Sequence, residues 1–350
     1  MTKVNRSKLI ISIVAAFFVL GLGWGFLSAR FGGSSNGELI VLCPKTWLPP
    51  EITEDLSHRL KVRVVQLDFD SWSSFVRLLA NTQGKADVIC FHSFVARDLI
   101  QSHFLDKSQF KTMSRFSHVS VDFFKLPFDP EFDYTAPLFW GVNGFVVKDV
   151  QPTTWKTAWP AQGHKMSLLY PDLELLSRMK QSGLEIRDEE ENESSKKLDV
   201  FVQGFLRSLS DLSAGHVDPT EAELAKYQYI QLSSGPAALF LKNHPDWKYW
   251  LPSDGVSLWF GMAGVGEHSR YKVQAREFIG ELLKPERALA LHKVLHNSVV
   301  QSALDSDDHV LPMQKARYIR DIPLDRVRFP DLSLEILPRW ERLISEAKQL

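Results

Sequence analysis

The chain has 350 residues, 44% of them hydrophobic and 24% charged, which is enough apolar material for two cores and excludes disorder as its main state. Its net charge of -1 is uneven: the first 30 residues carry Lys3, Arg6, Lys8 and Arg30 and no acid, so the remainder is acidic by about five charges. No basic patch with interleaved aromatics occurs in that remainder, which argues against a nucleic-acid partner.

Leu9 to Ala29 is an uncharged run of 21 residues. As a helix it would rise roughly 32 Å, enough to cross a hydrocarbon core of about 30 Å. The cations before it place the N-terminus in the cytoplasm and everything after Arg30 outside. The length favours an uncleaved anchor in the inner membrane, while Leu27-Ser28-Ala29 leaves a cleaved signal peptide open. Residues 32–37 (GGSSNG) read as a tether.

Glu38 to Leu42 and Lys61 to Leu67 read as strands, with a helix from Pro50 to about Leu60 between them. Trp72, Phe75, Val76 and Leu79 fall at helical spacing, and Ala86 to Cys90 is a third, buried strand. This β-α-β-α-β order predicts a parallel sheet with helices on both faces and a ligand beyond the carboxyl ends of the strands, at residues 43–47 and 91–94. Cys43 and Cys90 end two of these strands; a bridge is open to them, but buried free thiols are the preferred reading.

Phe139 to Val147 reads as a strand leaving the first lobe. A second α/β region then follows, with a strand at 166–169, helices at 172–181 and 197–209, a solvated acidic stretch at 188–193 and an apolar segment at 230–241. Trp247 to Pro252 and Gly255 to Val265 are strands that return, and helices cover 273–283 and 285–295. His292 and His296 have the i,i+4 spacing of a zinc pair, yet no Glu follows His292 as the metalloprotease motif requires, so a surface pair is expected. No GxSxG elbow or dinucleotide GxGxxG supports an enzyme, and no metal or cofactor is expected.

Three segments resemble the spermidine/putrescine-binding proteins of polyamine ABC importers: residues 86–110 (ADVICFHSFVARDLIQSHFLDKSQF), 127–144 (PFDPEFDYTAPLFWGVNG) and 250–285 (WLPSDGVSLWFGMAGVGEHSRYKVQAREFIGELLKP). The resemblance implies an α/β type II periplasmic-binding-protein fold, with two lobes joined by crossing strands and preceded by the membrane helix or signal segment. It implies lobe 1 at 38–143 with 263–311 and lobe 2 at 144–262 with the tail 312–350, after the signal region 1–30 and linker 31–37. The implied role is to capture a small ligand between the lobes and pass it to ABC permease subunits. By this resemblance the ligand residues would be Lys45, Thr46, Trp47, Phe91, His92, Ser93, Asp172, Glu174, Ser233, Ser234 and Trp259, with a hinge at Trp140, Gly141, Asn143 and Gly144.

Several positions depart from the family. Cys43 to Thr46 replace its Asn-Trp-Ser/Thr, Cys90 to Ser93 lose the hydroxyls of its Pro-Ser-x-Tyr, and Ser233 stands for a Trp. Gly261 occupies the place of the Asp that pairs with an ammonium group, and Lys45 adds a cation at a strand end. The expected ligand is therefore a small polar solute other than a classic polyamine. The alternative is a membrane-anchored sensing or partner-binding protein with a degenerate cleft.

Overall fold

The computed structural model describes residues 37–82, 85–123, 126–148, 154, 166–168, 229–295, 298–300 and 326–348. The expected membrane segment at 9–29, the helices at 172–181 and 197–209 and the acidic stretch at 188–193 lie outside them. Among the described residues no helix is long and apolar enough to cross a membrane.

Numbered among the described residues, the strands are β1 (Glu38–Pro44), β2 (Arg63–Phe69), β3 (Val88–His92), β4 (Thr135–Val147), β5 (Met166–Leu168), β6 (Tyr229–Ser233), β7 (Lys248–Trp250), β8 (Val256–Val265) and β9 (Val327–Arg328). The helices are α1 (Pro50–Leu60), α2 (Trp72–Asn81), α3 (Ala96–Gln101), α4 (Ser234–Asn243), α5 (Lys272–Leu282), α6 (Pro285–Leu295) and α7 (Ile336–Lys348). Two of them begin with clear local signals. Pro50 at the start of α1 has a fixed φ and no N–H to leave unpaired. Ser71 caps α2 by accepting the Ser74 N–H in a capping box.

The strands form one sheet in the order β2-β1-β3-β8-β4-β6-β5, with β7 on β4 and β9 on β8. β1 and β3 are parallel, with Val41 opposite Val88 and Leu42 opposite Ile89. This is the parallel pairing expected of the first three strands, and β8, expected to return to the first lobe, joins them antiparallel between β3 and β4. β4 also starts earlier than Phe139: it runs from Thr135 and absorbs Pro137 at a register shift between Pro137 and Phe139, which frees the ladder from the missing Pro N–H.

β4 has two sets of neighbours. Thr135 to Val142 pair with β8, whereas Asn143 to Val147 pair with β6 and Phe145 to Val147 also with β7. A large core gathers β1, β3, β8, helices α1, α2 and α5 and most of β4, including Phe145 and Val147 beyond the change of partner, while Val146, on the opposite face from those two, joins Ile230, Leu232, Ala237, Phe240 and Trp247 in a separate small cluster. Tyr249 packs on both, and its hydroxyl lies 2.7 Å from the Val142 carbonyl and 3.1 Å from that of Leu232.

Helix α7 contacts α2, with Leu337 and Trp340 fully buried. The tail was expected to accompany the second lobe; its described part packs on the first core, because its apolar face is matched there and its Glu341 meets the unpaired N–H groups at the start of α2.

On the other side of the first core, the carboxylate of Glu281 on α5 is nearly buried among cations. Arg287 lies 2.5 Å from it, Lys284 2.7 Å, Arg115 3.0 Å and Arg59 3.4 Å. Burial pushes its pKa up, but Lys284, Arg287 and Arg115 outweigh that and hold it below the usual carboxylate range.

Candidate functional site

β1 and β3 end side by side, and their carboxyl ends carry the aromatic residues singled out from the sequence. His92 is the last residue of β3 and sits opposite Gly261 of β8, which is opposite Phe139 of β4. The alternation of strand side chains puts His92, Phe139, Trp259 and the two glycines Gly261 and Gly141 on one face. Trp47, from the turn after β1, and Trp72, from the start of α2, pack onto that face.

The rings form a continuous cluster around the His92 imidazole. Its centroid is 5.0 Å from Trp47, 5.1 Å from Trp259, 5.8 Å from Trp72 and 5.9 Å from Phe94, which stacks nearly parallel. Trp47 also meets Phe139 edge-on at 4.4 Å. His92 as a residue is partly exposed, but its Nδ1 is shut away from solvent and has no hydrogen-bond partner. Burial pushes the imidazole pKa down to about 4, so the ring is neutral at physiological pH.

The glycines are what let the rings lie flat on the sheet. A Cβ built on Gly261 would meet Phe139 Cε2, Cζ and Cδ2, all within 2.6 Å, and one on Gly141 would meet the Trp259 indole at 2.5 Å. Phe139 thus covers Gly261, and Trp259 covers Gly141, across the β4–β8 ladder. The space over Gly261, where an acid was expected to be missing, is filled by Phe139, which is 3% exposed.

The other expected ligand residues are dispersed. Lys45 and Thr46 are exposed in the turn after β1, where the Lys45 N–H donates to the Phe69 carbonyl at 3.0 Å. Phe91 is fully buried on the opposite face of β3 from His92. Ser93 is buried, its Oγ accepting from the Phe260 N–H at 3.0 Å. Ser233 and Ser234 are buried where β6 turns into α4, and Ser234 Oγ accepts from the Val142 N–H at 3.3 Å. Asp172 and Glu174 lie outside the described residues.

Of the expected hinge residues, Asn143 accepts a 3.2 Å hydrogen bond from Trp259 Nε1, which links the ring cluster to the point where β4 changes neighbours. Trp140 is fully buried beside Phe123 on the other face. Gly144 backs closely onto the Trp250 carbonyl, where a Cβ would come within 2.7 Å.

Cys43 and Cys90 are free, buried thiols on neighbouring strands. Burial and the adjacent Cys90 push the Cys43 thiol well up, so it stays protonated and unreactive. His292 is not the expected surface residue: it is buried, and its Nδ1 accepts from the Ser298 N–H at 3.1 Å. His296 lies outside the described residues. Among the described residues no group of His, Cys, Asp and Glu is arranged to hold a metal.

Trp72, Phe94 and Phe139 were missed as site residues in the sequence. Trp72 read only as one apolar residue of a helix face, and Phe139 only as the start of a strand. A Phe or Trp two residues from a Gly on each of two strands was the available signal, but it needs the register to be interpreted.

No family model matches the chain. The spermidine/putrescine-binding periplasmic protein of Escherichia coli is 20% identical over 318 residues, covering 87% of this chain and 86% of its own length. Among solved structures, a putative spermidine/putrescine ABC transporter protein from Listeria monocytogenes superposes with a TM-score of 0.70 at 16% identity, covering 89% of this chain and 99% of its own. The spermidine/putrescine ABC transporter substrate-binding protein PotD from Streptococcus pneumoniae gives 0.64 at 15%, covering 90% and 99%. These relatives are named for solute binding and transport, not for catalysis. The chain thus has the mixed α/β fold of periplasmic binding proteins, and the family it resembles is that of the spermidine/putrescine-binding proteins of ABC importers.

Proposed function

We propose that this chain is the extracytoplasmic solute-binding component of an ABC importer, held at the inner membrane through residues 9–29. It captures a small polar ligand between two lobes and presents the closed form to permease subunits. The observation that carries the reading is the ring cluster around His92, at the carboxyl ends of β1 and β3 and next to the point where β4 exchanges β8 for β6 as its paired neighbour. A ligand held there and by the second core would favour closure, since only contacts that differ between open and closed states shift the equilibrium.

The ligand is not a classic polyamine. Phe139 lies over Gly261, so this position offers a ring where an ammonium group needs a carboxylate, and a buried ammonium without its anion costs several kcal/mol. A thermal-shift screen over polyamines, amino acids, organic acids, phosphonates and sugars tests the reading. A true ligand at 100 times its Kd adds about 2.7 kcal/mol. Absence of any shift across the panel counts against solute capture.

The filled position above Gly261 gives a second reading some support: an anchored protein whose degenerate cleft reports to a membrane partner instead of carrying solute. An adjacent ATPase and permease gene pair favours import, and a lone gene beside a signalling protein favours sensing. Mass spectrometry of the mature N-terminus decides the anchor; a chain starting at or just after Arg30 refutes it.

A further inference from the structure

The two elements that bring Phe94 and Trp72 to His92 are both tied to the same stretch near the C-terminus. The Leu332 N–H donates to the Phe94 carbonyl at 2.7 Å, the Leu334 N–H donates to Asp98 Oδ2 at 2.7 Å, and Arg97 pairs with Asp331 at 2.8 Å. These contacts hold the 93–101 segment that carries Phe94.

Seven residues further on, Glu341 of α7 holds the other wall. Its Oε1 accepts the Trp72 N–H at 3.2 Å, its Oε2 accepts the Ser73 N–H at 2.9 Å, and the Ser73 hydroxyl also donates to Oε2. With Ser71 accepting from the Ser74 N–H at 3.1 Å through its side chain and from the Phe75 N–H at 3.0 Å through its carbonyl, every one of the first four N–H groups of α2 has a partner. Two of the four come from α7, and a carboxylate at this end also complements the helix dipole. Leu332, Leu334, Leu337 and Trp340 are buried, so the whole stretch is seated and not merely hydrogen-bonded.

From this geometry we infer that residues 331–341 form a strap that positions the ligand cluster, with Glu341 as a positioning residue for Trp72 and the Leu332 backbone as one for Phe94. Resting on the reading of the His92 cluster as the ligand site, the inference makes the spacing of two of its walls a property of the C-terminus. Trp72 lies at the first turn of α2, where a helix whose end N–H groups lose their acceptor frays first. Loosening Glu341 therefore releases the Trp72 wall and admits water to His92.

The test uses the full chain with Glu341→Ala, Glu341→Gln and, as a control of folding stability, Glu281→Gln on the far side of the core. Histidine NMR follows the His92 titration, and amide hydrogen exchange follows Trp72 and Ser73. In Glu341→Ala, exchange at these two amides rises at least tenfold and the His92 midpoint moves upward from about 4, while amides in β3 keep their protection. Glu341→Gln, which keeps an acceptor oxygen, recovers most of both effects, and Glu281→Gln lowers stability while moving neither. An unchanged His92 titration in Glu341→Ala, or the same change in Glu281→Gln, overturns the strap. Failure of the site reading shows differently: a ligand found in the thermal-shift screen would leave the His92 and Trp72 resonances undisturbed.

Discussion

Replacing Gly261 with Ala is the most direct perturbation of the cluster. The new Cβ would lie within 2.6 Å of three Phe139 ring atoms, where ordinary carbon contacts are about 3.5–4.0 Å, so the ring must move by about 1 Å or more. Phe139 has little room, because Trp47 stands at 4.4 Å and the ring is almost fully buried. Overpacking of this kind costs about 1–3 kcal/mol. Removing a glycine from a strand returns about 0.5–1 kcal/mol, leaving a net loss of up to about 2.5 kcal/mol. In a Phe139→Leu background the cost should vanish, because Leu lacks Cε2 and Cζ, two of the three clashing atoms. Urea denaturation of the four proteins of this cycle, followed by tryptophan fluorescence and circular dichroism, measures the coupling, expected at about 1 kcal/mol or more. Equal costs in the two backgrounds, within about 0.5 kcal/mol, would refute the account of Gly261 as the seat of the Phe139 ring.

The same geometry predicts that Gly261→Asp alone gains no spermidine affinity, whereas Gly261→Asp with Phe139→Leu does; calorimetry distinguishes them, and sub-micromolar spermidine binding by the unmodified chain would return the substrate to polyamines. His92 gives a pH signature: its folded pKa of about 4 lies below the ordinary 6.5, so the unfolded chain binds the proton more readily and stability falls as pH drops from about 6.5 to 4, by about 3 kcal/mol. Denaturation at pH 7 and 4.5 should show this loss, and His92→Phe should remove it. Glu281→Gln should destabilise by about 3 kcal/mol by leaving Arg287 short of its buried partner. Because the Glu281 pKa is lowered by folding, the contribution lost in that variant is present above the ordinary carboxylate pKa and fades on acidification, which denaturation of both proteins across pH 3 to 7 checks.

The local elements could be read along the chain, because their signals are local. Short apolar runs marked β1 and β3 and alternation marked β2, Pro50 opened α1, the spacing of Trp72, Phe75, Val76 and Leu79 marked α2, and the order of these pieces implied a parallel sheet with ligand groups at its carboxyl ends. His92, Trp47 and Trp259 were legible for that reason. What surrounds them came from pairings between distant parts of the chain. The register His92–Gly261–Phe139 joins residues 92, 261 and 139, and no spacing along the chain encodes it. It turns a glycine in the place of an acid into a seat for a ring. Likewise Glu341 caps a helix 268 residues earlier, and the buried His292 answers a backbone N–H at Ser298. A one-residue shift of register would send each ring to the other face, so the composition of the site follows from pairing energies summed over the whole sheet.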